Sequence, residues 1–199
     1  MPQPFILASG SSIRMQLLRQ ANLDFDVQVP RIDEDMIKQA LLAEDAPPRD
    51  IADTLAEMKA RKVSDKHPDT LVLGCDQVLD HRGQLLSKPD TPEAAIAQLH
   101  SLSGDRHALL SAAVICEDGQ PIWRQVGQVR LRMRVLSDAY IQNYVTRNWE
   151  SIRHAVGSYK LEEEGVRLFT NIEGDYFHVL GMPLLELLNY LTLRGDLPT

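Results

Sequence analysis

Leu71-Val72-Leu73-Gly74-Cys75, followed at once by Asp76-Gln77, is an unbroken apolar run that meets an acid. An apolar run of this length without polar alternation is the pattern of a strand covered on both faces. Strands of that kind belong to α/β sheets, so the run predicts a central strand. An acid directly after such a strand sits at the sheet edge, where open α/β sheets hold their ligands. There Asp76 can bind a metal or take a proton from an attacking water; a turn-forming aspartate fits the same position.

Outward from this run, strand and helix patterns alternate. Residues 5–8 are a short apolar run ending at Ser9-Gly10-Ser11-Ser12, after which Ile13, Leu17 and Leu18 recur at helical spacing. This predicts strand, tight turn, helix. Residues 25–30 alternate like a second strand, 33–44 read as a polar helix, and 51–64 as another, with Leu55, Met58 and Lys59 on successive turns. His81-Arg82-Gly83 predicts a hairpin turn. Thr91-Pro92-Glu93 opens a helix ending near Leu102: a capping hydroxyl, proline in the first turn, then an acid facing the dipole. Residues 108–117 and 122–135 read as long strands; in the second, Val129, Leu131, Met133 and Val135 alternate with Arg130, Arg132 and Arg134, which predicts one apolar and one cationic face. A helix over 137–145, a β pair near 158–162 and 166–172, and a last helix over 184–193 complete the reading. No repeat or composition shift divides residues 1–199, so the expectation is a single α/β domain whose mixed, twisted sheet has helices on both faces.

Composition narrows the function. A net charge of −7 argues against long nucleic acid as a partner, because such binders display a basic face, yet a few local cations suffice for one triphosphate. The two cysteines, Cys75 and Cys116, form no CxxC pair, and the six histidines show no HxH or HExxH spacing. No apolar run approaches the roughly 20 residues of a membrane span, and the opening residues lack a basic leader, so the expected location is the cytoplasm.

Four sets of residues carry possible chemistry. Ser9 and Ser11, with Gly10 and Ser12 at a helix start and Arg14 one turn on, supply backbone N–H groups, hydroxyls and a planar cation to an anion; an ordinary capped helix explains the same serines. Asp33-Glu34 offers Mg²⁺ ligands or simply acids at a helix start. Asp76 offers a base or metal ligand. Lys59, Lys62 and Lys88 are candidate phosphate contacts or plain surface lysines. Together these are the components of phosphoanhydride cleavage. Two expectations about stability follow. Arg14→Ala should leave the fold intact, as an arginine in a cleft supports no core. Asp76→Asn should cost no stability, as Glu34 would repel the native carboxylate.

In order along the chain, Leu7-Ala8-Ser9-Gly10-Ser11 with Arg14, Asp33-Glu34, Leu55-Ala56 with Lys59-Ala60, Gly74-Cys75-Asp76, Lys88-Pro89, Leu102-Ser103-Gly104, Leu136-Ser137, Gly157-Ser158-Tyr159, Ile172-Glu173-Gly174-Asp175 and Gly181-Met182-Pro183-Leu184 resemble the Maf family of nucleotide pyrophosphatases. The resemblance implies a Maf/ITPase-like fold with a deep cleft, a Mg²⁺ or Mn²⁺ requirement, and cleavage of a nucleoside triphosphate to monophosphate and pyrophosphate. It implies that Asp76 is the general base, that Ser9, Ser11, Arg14, Lys59 and Lys88 contact phosphates, and that Glu34 joins Asp76 at the metal. Homodimers, clearance of non-standard nucleotides and cell-division arrest are family traits it carries with it. Ser12-Ile13 departs from the family's usual Pro followed by Arg or Trp. Gln77 after the base, and Lys160-Leu161-Glu162 after Tyr159, resemble the 7-methyl-GTP branch more than the dTTP/UTP branch, which makes Gln77 and Glu162 the candidate specificity residues. Two rival readings remain: a nucleotide-binding division regulator with little turnover, and a phosphohydrolase releasing orthophosphate.

Overall fold

Seven strands and seven α-helices form an α/β fold with a mixed, open sheet; the computed structural model describes residues 3–198. In chain order they are β1 (Phe5–Ala8), α1 (Ser12–Gln20), β2 (Asp26–Val27), α2 (Glu34–Ala43), α3 (Pro48–Ser64), β3 (Leu71–His81) and β4 (Gln84–Leu86). They continue as α4 (Pro92–Leu102), β5 (Arg106–Glu117), β6 (Gln120–Met133), α5 (Asp138–Ile152), β7 (Phe169–Glu173), α6 (Tyr176–Val179) and α7 (Leu184–Arg194). The strand order is β2-β1-β3-β5-β6-β7, with β4 also paired to β3. No helix among the described residues is long and apolar enough to cross a membrane.

The chain forms two compact units, and the first comprises residues 1–76, 111–127 and 181–199. Here β1 pairs in parallel with both β2 and β3, Phe5 standing opposite Leu71 and Ala8 opposite Gly74. The apolar run is buried throughout, as its pattern predicts, but β3 continues through Asp76 to His81. Asp76 therefore lies inside the strand rather than after it. Even so, β1 ends opposite Gly74, two residues short of Asp76, so the aspartate stands beyond the carboxyl end of its parallel neighbour.

Helix α3 buries two stripes four residues apart, Ile51, Leu55, Lys59 and Val63 beside Ala52, Ala56, Ala60 and Ser64. Of the three residues expected on successive turns, Leu55 and Lys59 are buried in this stripe, whereas Met58 is exposed. The alanines let the helix backbone lie almost on β3. A Cβ on Gly74 would stand 2.1 Å from the Ala56 carbonyl oxygen and 2.6 Å from the Ala60 nitrogen. Only glycine leaves room there. Strand β2 is reduced to two residues, both exposed, so the alternation over 25–30 marks no buried face.

The second unit comprises residues 77–110 and 128–180. Its core contains Leu79, Leu99, Leu102, Leu131, Met133, Tyr144 and Phe169, and β6 turns Arg130 and Arg132 outward as its alternation predicts. The strand stops at Met133, however, and Val135, expected on the apolar face, is exposed. Thr91 caps α4 by accepting from Ala94 N at 3.1 Å. Helix α5 runs past the expected stop at Val145 because Trp149 and Ile152 keep the apolar period going. The strand expected over 158–162 is absent. Gly157 and Ser158 both have positive φ, and Gly165 packs so closely on the Lys160 backbone that a Cβ would lie 2.3 Å from its oxygen. The segment is folded back on itself, and only Phe169–Glu173 forms a strand, antiparallel to β6.

Inside this unit His107 Nε2 and the Tyr159 hydroxyl are 2.8 Å apart, and Phe169 stacks its ring edge on Tyr159. Burial pushes the His107 pKa from 6.5 down to about 4, with nearby His81 adding to the effect and Asp105 opposing it. The unfolded chain therefore binds a proton that the folded chain refuses, and stability falls as pH drops from about 6.5 towards 4. His107→Gln should flatten the dependence in that window, as read by urea midpoints across pH. Gly74→Ala should lower stability by about 1–3 kcal/mol or more, because the clash is with backbone and cannot be relieved by a rotamer change. Equilibrium denaturation of the variant checks it; an unchanged midpoint would show that α3 can retreat without cost.

Candidate active site

Glu34, Lys59 and Asp76 meet in the first unit. Lys59 Nζ donates to Asp76 Oδ1 at 2.7 Å and lies 3.0 Å from Glu34 Oε2. Lys59 and Asp76 are both buried, whereas the Glu34 side chain is 45% exposed. Each is placed by a rigid element: Asp76 by β3, Lys59 by the buried stripe of α3, Glu34 by the first position of α2. Asp33 does the ordinary work of its place, accepting from Met36 N at 3.0 Å as the α2 cap. Two carboxylates thus share one ammonium. The repulsion between Glu34 and Asp76 expected from their charges alone is screened by the lysine between them.

Arg14 forms a second cluster. Its Nε donates to Gly181 O at 2.9 Å, and one terminal nitrogen donates to Cys75 O at 2.9 Å and Ser9 Oγ at 3.3 Å. It is buried and joins the β1–α1 turn, β3 and the chain leading into α7, so it is no freestanding phosphate contact. The other terminal nitrogen has no partner among the described residues and faces Gly181, where an added Cβ would come within 3.1 Å of it. Gly181 holds φ at +88°, a value suited to glycine. Ser9 Oγ also accepts from Ser11 N at 3.2 Å. Ser11 occupies the cap position of α1 without a side-chain cap bond, which leaves its hydroxyl for other use.

Cys75, between the two clusters in sequence, is buried, and burial raises its thiol pKa to about 11 against the opposing pull of Arg14 and Lys59. That is a packed thiol and a poor nucleophile. Gln77, Lys88 and Glu162 belong to the second unit. Gln77 Nε2 donates to His178 O at 2.9 Å and Val179 O at 3.0 Å, tying down the end of α6. Lys88 and Glu162 are exposed.

Sequence reasoning missed the Gly181 and Cys75 carbonyls as anchors for Arg14, since any residue supplies a carbonyl. It could have found Lys59 by a sharper route, as the one charge on an otherwise apolar stripe.

The geometry revises both expectations about stability. Arg14→Ala removes three buried hydrogen bonds and should cost roughly 2–4 kcal/mol. Asp76→Asn leaves the buried Lys59 with half-exposed Glu34 as its only carboxylate and should cost about 1–3 kcal/mol. Thermal and urea unfolding of the two variants measure both. An Arg14→Ala protein as stable as the parent would show that the clamp is incidental.

A nucleoside triphosphate pyrophosphatase of Ruegeria pomeroyi is 71% identical over the whole of both chains. Another of that name from Roseobacter denitrificans is 70% identical, again over all of both chains. The Caulobacter vibrioides protein of the same name is 50% identical over 98% of this chain and 97% of its own. Among solved structures, a HAM1 protein from Coxiella burnetii shares the fold with a TM-score of 0.52 at 16% identity, over 96% of this chain and 99% of its own. The Maf-like protein family matches residues 4–193, and the chain belongs to that family.

Proposed function

We propose that this protein hydrolyses a nucleoside triphosphate to the monophosphate and pyrophosphate, with water attacking the α-phosphorus and Asp76 acting as base. The observation that carries the reading is the Lys59–Asp76 contact of 2.7 Å, buried beyond the end of β1 and beside the Ser9–Arg14 turn. The names of the relatives support the same activity, and the family match through residues of both units supports treating residues 1–199 as one catalytic domain.

The chain's own groups divide the work. Lys59 holds Asp76 by Oδ1, which fixes the carboxylate plane and leaves Oδ2 to orient a water and take its proton. Arg14, Ser9 and Ser11 offer N–H and O–H donors at the start of α1, where the helix dipole favours phosphate oxygens. Lys59 supplies further positive charge, and the family resemblance adds Lys88 as a phosphate contact. Members of this family are generally metal-dependent, and Glu34 and Asp76 suit a hard cation. They are carboxylates converging on one point, while no group of three or more acids, histidines or cysteines could hold an ion alone among the described residues. Such a donor pair fits Mg²⁺ or Mn²⁺ when substrate oxygens complete the shell. When bound, the ion would acidify water and offset phosphate charge.

Gln77 and Glu162 support a preference for a guanine-type base such as 7-methyl-GTP, with Gln77 acting through the 178–179 backbone it holds. Action as a cytoplasmic homodimer that clears non-standard nucleotides, with an effect on division, completes the proposal.

Asp76→Asn should retain nucleotide binding while turnover falls at least about 10²-fold, the usual worth of a general base. EDTA should abolish activity, and Mg²⁺ or Mn²⁺ should restore it. Product analysis on a nucleotide panel that includes 7-methyl-GTP decides the rest. Pyrophosphate supports the proposal, orthophosphate points to cleavage at the γ position, and binding without product points to a regulator. A preference for dTTP or UTP would remove the guanine assignment.

A further inference from the structure

A depression of about 560 Å³, open to solvent, lies wholly within the second unit, lined by Arg134, Val135, Leu136, Ser137, Tyr140 and Arg167. Arg134, Val135, Ser137 and Arg167 are exposed, and Leu136 and Tyr140 are half-buried. The walls are held in place from behind. Arg134 N donates to Leu168 O at 2.8 Å, Gly104 N donates to Arg134 O at 2.9 Å, and Leu136 N donates to Ser103 Oγ at 2.8 Å. Ser137 Oγ accepts from Tyr140 N, capping α5. The segment is therefore formed before anything enters it.

Its charges are unspent. Arg134 uses only Nε, donating to Arg167 O at 3.1 Å, and both of its terminal nitrogens are without partners among the described residues. Arg167 makes no side-chain hydrogen bond or salt bridge among them. Glu164, whose carboxyl feels Arg167, is already bonded by Arg147 at 2.6 Å and Asn148 at 2.8 Å. Asp138 does not line the depression; its side chain is 85% exposed and lies 3.8 Å from His100. No carboxylate is among the lining residues. The Tyr140 hydroxyl is buried and has no partner among the described residues. Leu136, Tyr140 and Val135, the last 88% exposed, complete the lining.

From this depression we infer a binding site for a small phosphate monoester with an aromatic or apolar body, separate in its residues from the Glu34–Lys59–Asp76 cluster. A single carboxylate is satisfied by one guanidinium fork. Two arginines in one lining, neither paired with a carboxylate, match a dianion with three terminal oxygens. The aliphatic and tyrosine surfaces take the body of the ligand, which free phosphate lacks.

The test is titration of the ¹⁵N-labelled protein with phenyl phosphate, inorganic phosphate and benzoate, following backbone amides 135–140. Phenyl phosphate should shift these amides saturably and bind more tightly than either control. Replacing both arginines (Arg134→Gln with Arg167→Gln) should weaken it by about tenfold or more, the scale of lost charge-assisted hydrogen bonds. Pyrophosphate release should stay at the parent level. Arg167→Gln alone touches no structural contact of its side chain and serves if the double variant unfolds. No shift at 135–140 up to millimolar ligand, equal affinity for inorganic phosphate or benzoate, or affinity untouched in Arg167→Gln would each overturn the inference.

Discussion

The packing of α3 on β3 at Gly74 is the constraint on which the candidate site depends. Helix and strand backbones come so close there that neither side can carry a larger group, and Ala56 and Ala60 answer the glycine across the contact. This proximity brings Lys59 within 2.7 Å of Asp76. A lysine on a longer tether to the sheet would find water first. Here its stem is buried among apolar neighbours, and its ammonium is left with two acids. The pair is costly to desolvate, and such pairs stabilise little in net terms. Its retention at the end of the parallel strands is easier to understand as positioning of the carboxylate than as a contribution to folding.

Arg14 works on the same region by another route. Its hydrogen bonds are to the Gly181 and Cys75 carbonyls and the Ser9 hydroxyl, with no carboxylate among them. The positive charge is thus anchored without being neutralised. An arginine held by neutral acceptors keeps its full attraction for an anion, and the unpartnered terminal nitrogen keeps a donor to offer. Structural tie and phosphate contact are therefore compatible in one side chain, and loss of activity on mutation would have to be separated from loss of fold.

How much of this was legible in the sequence depended on whether the signal was local. The apolar run of β3, the Thr91 cap and the alternation along β6 are local patterns, and the structure has them. Local too are the charged candidates Glu34, Lys59 and Asp76, whose residue types suggested their chemistry. What escaped was contact between distant segments. Asp76 lies inside β3 because β3 goes on to pair with β4 after β1 has ended, which no apolar run reports. Arg14 is buried because carbonyls 61 and 167 residues away reach it. The strand expected at 158–162 does not form, because the positive φ of Gly157 and Ser158 and the close approach of Gly165 to Lys160 set another path.

The acidic composition bears on how such a site can hold a polyanion. A chain of net charge −7 repels a triphosphate at long range, so attraction must come from charges at contact distance, where screening by salt is weakest. Buried or half-buried cations meet that need better than a basic surface, because their field acts through a medium that water and salt do not fill. Arg14 and Lys59, both buried in the first unit, satisfy it. The same argument explains why Lys59 is flanked by acids: Glu34 and Asp76 hold a lysine that would otherwise be stranded in the interior. Under the proposed reaction, Glu34 and Asp76 would be the residues to hold a divalent ion, which would offset phosphate charge, and Lys59 would be the cation left to face the phosphate oxygens.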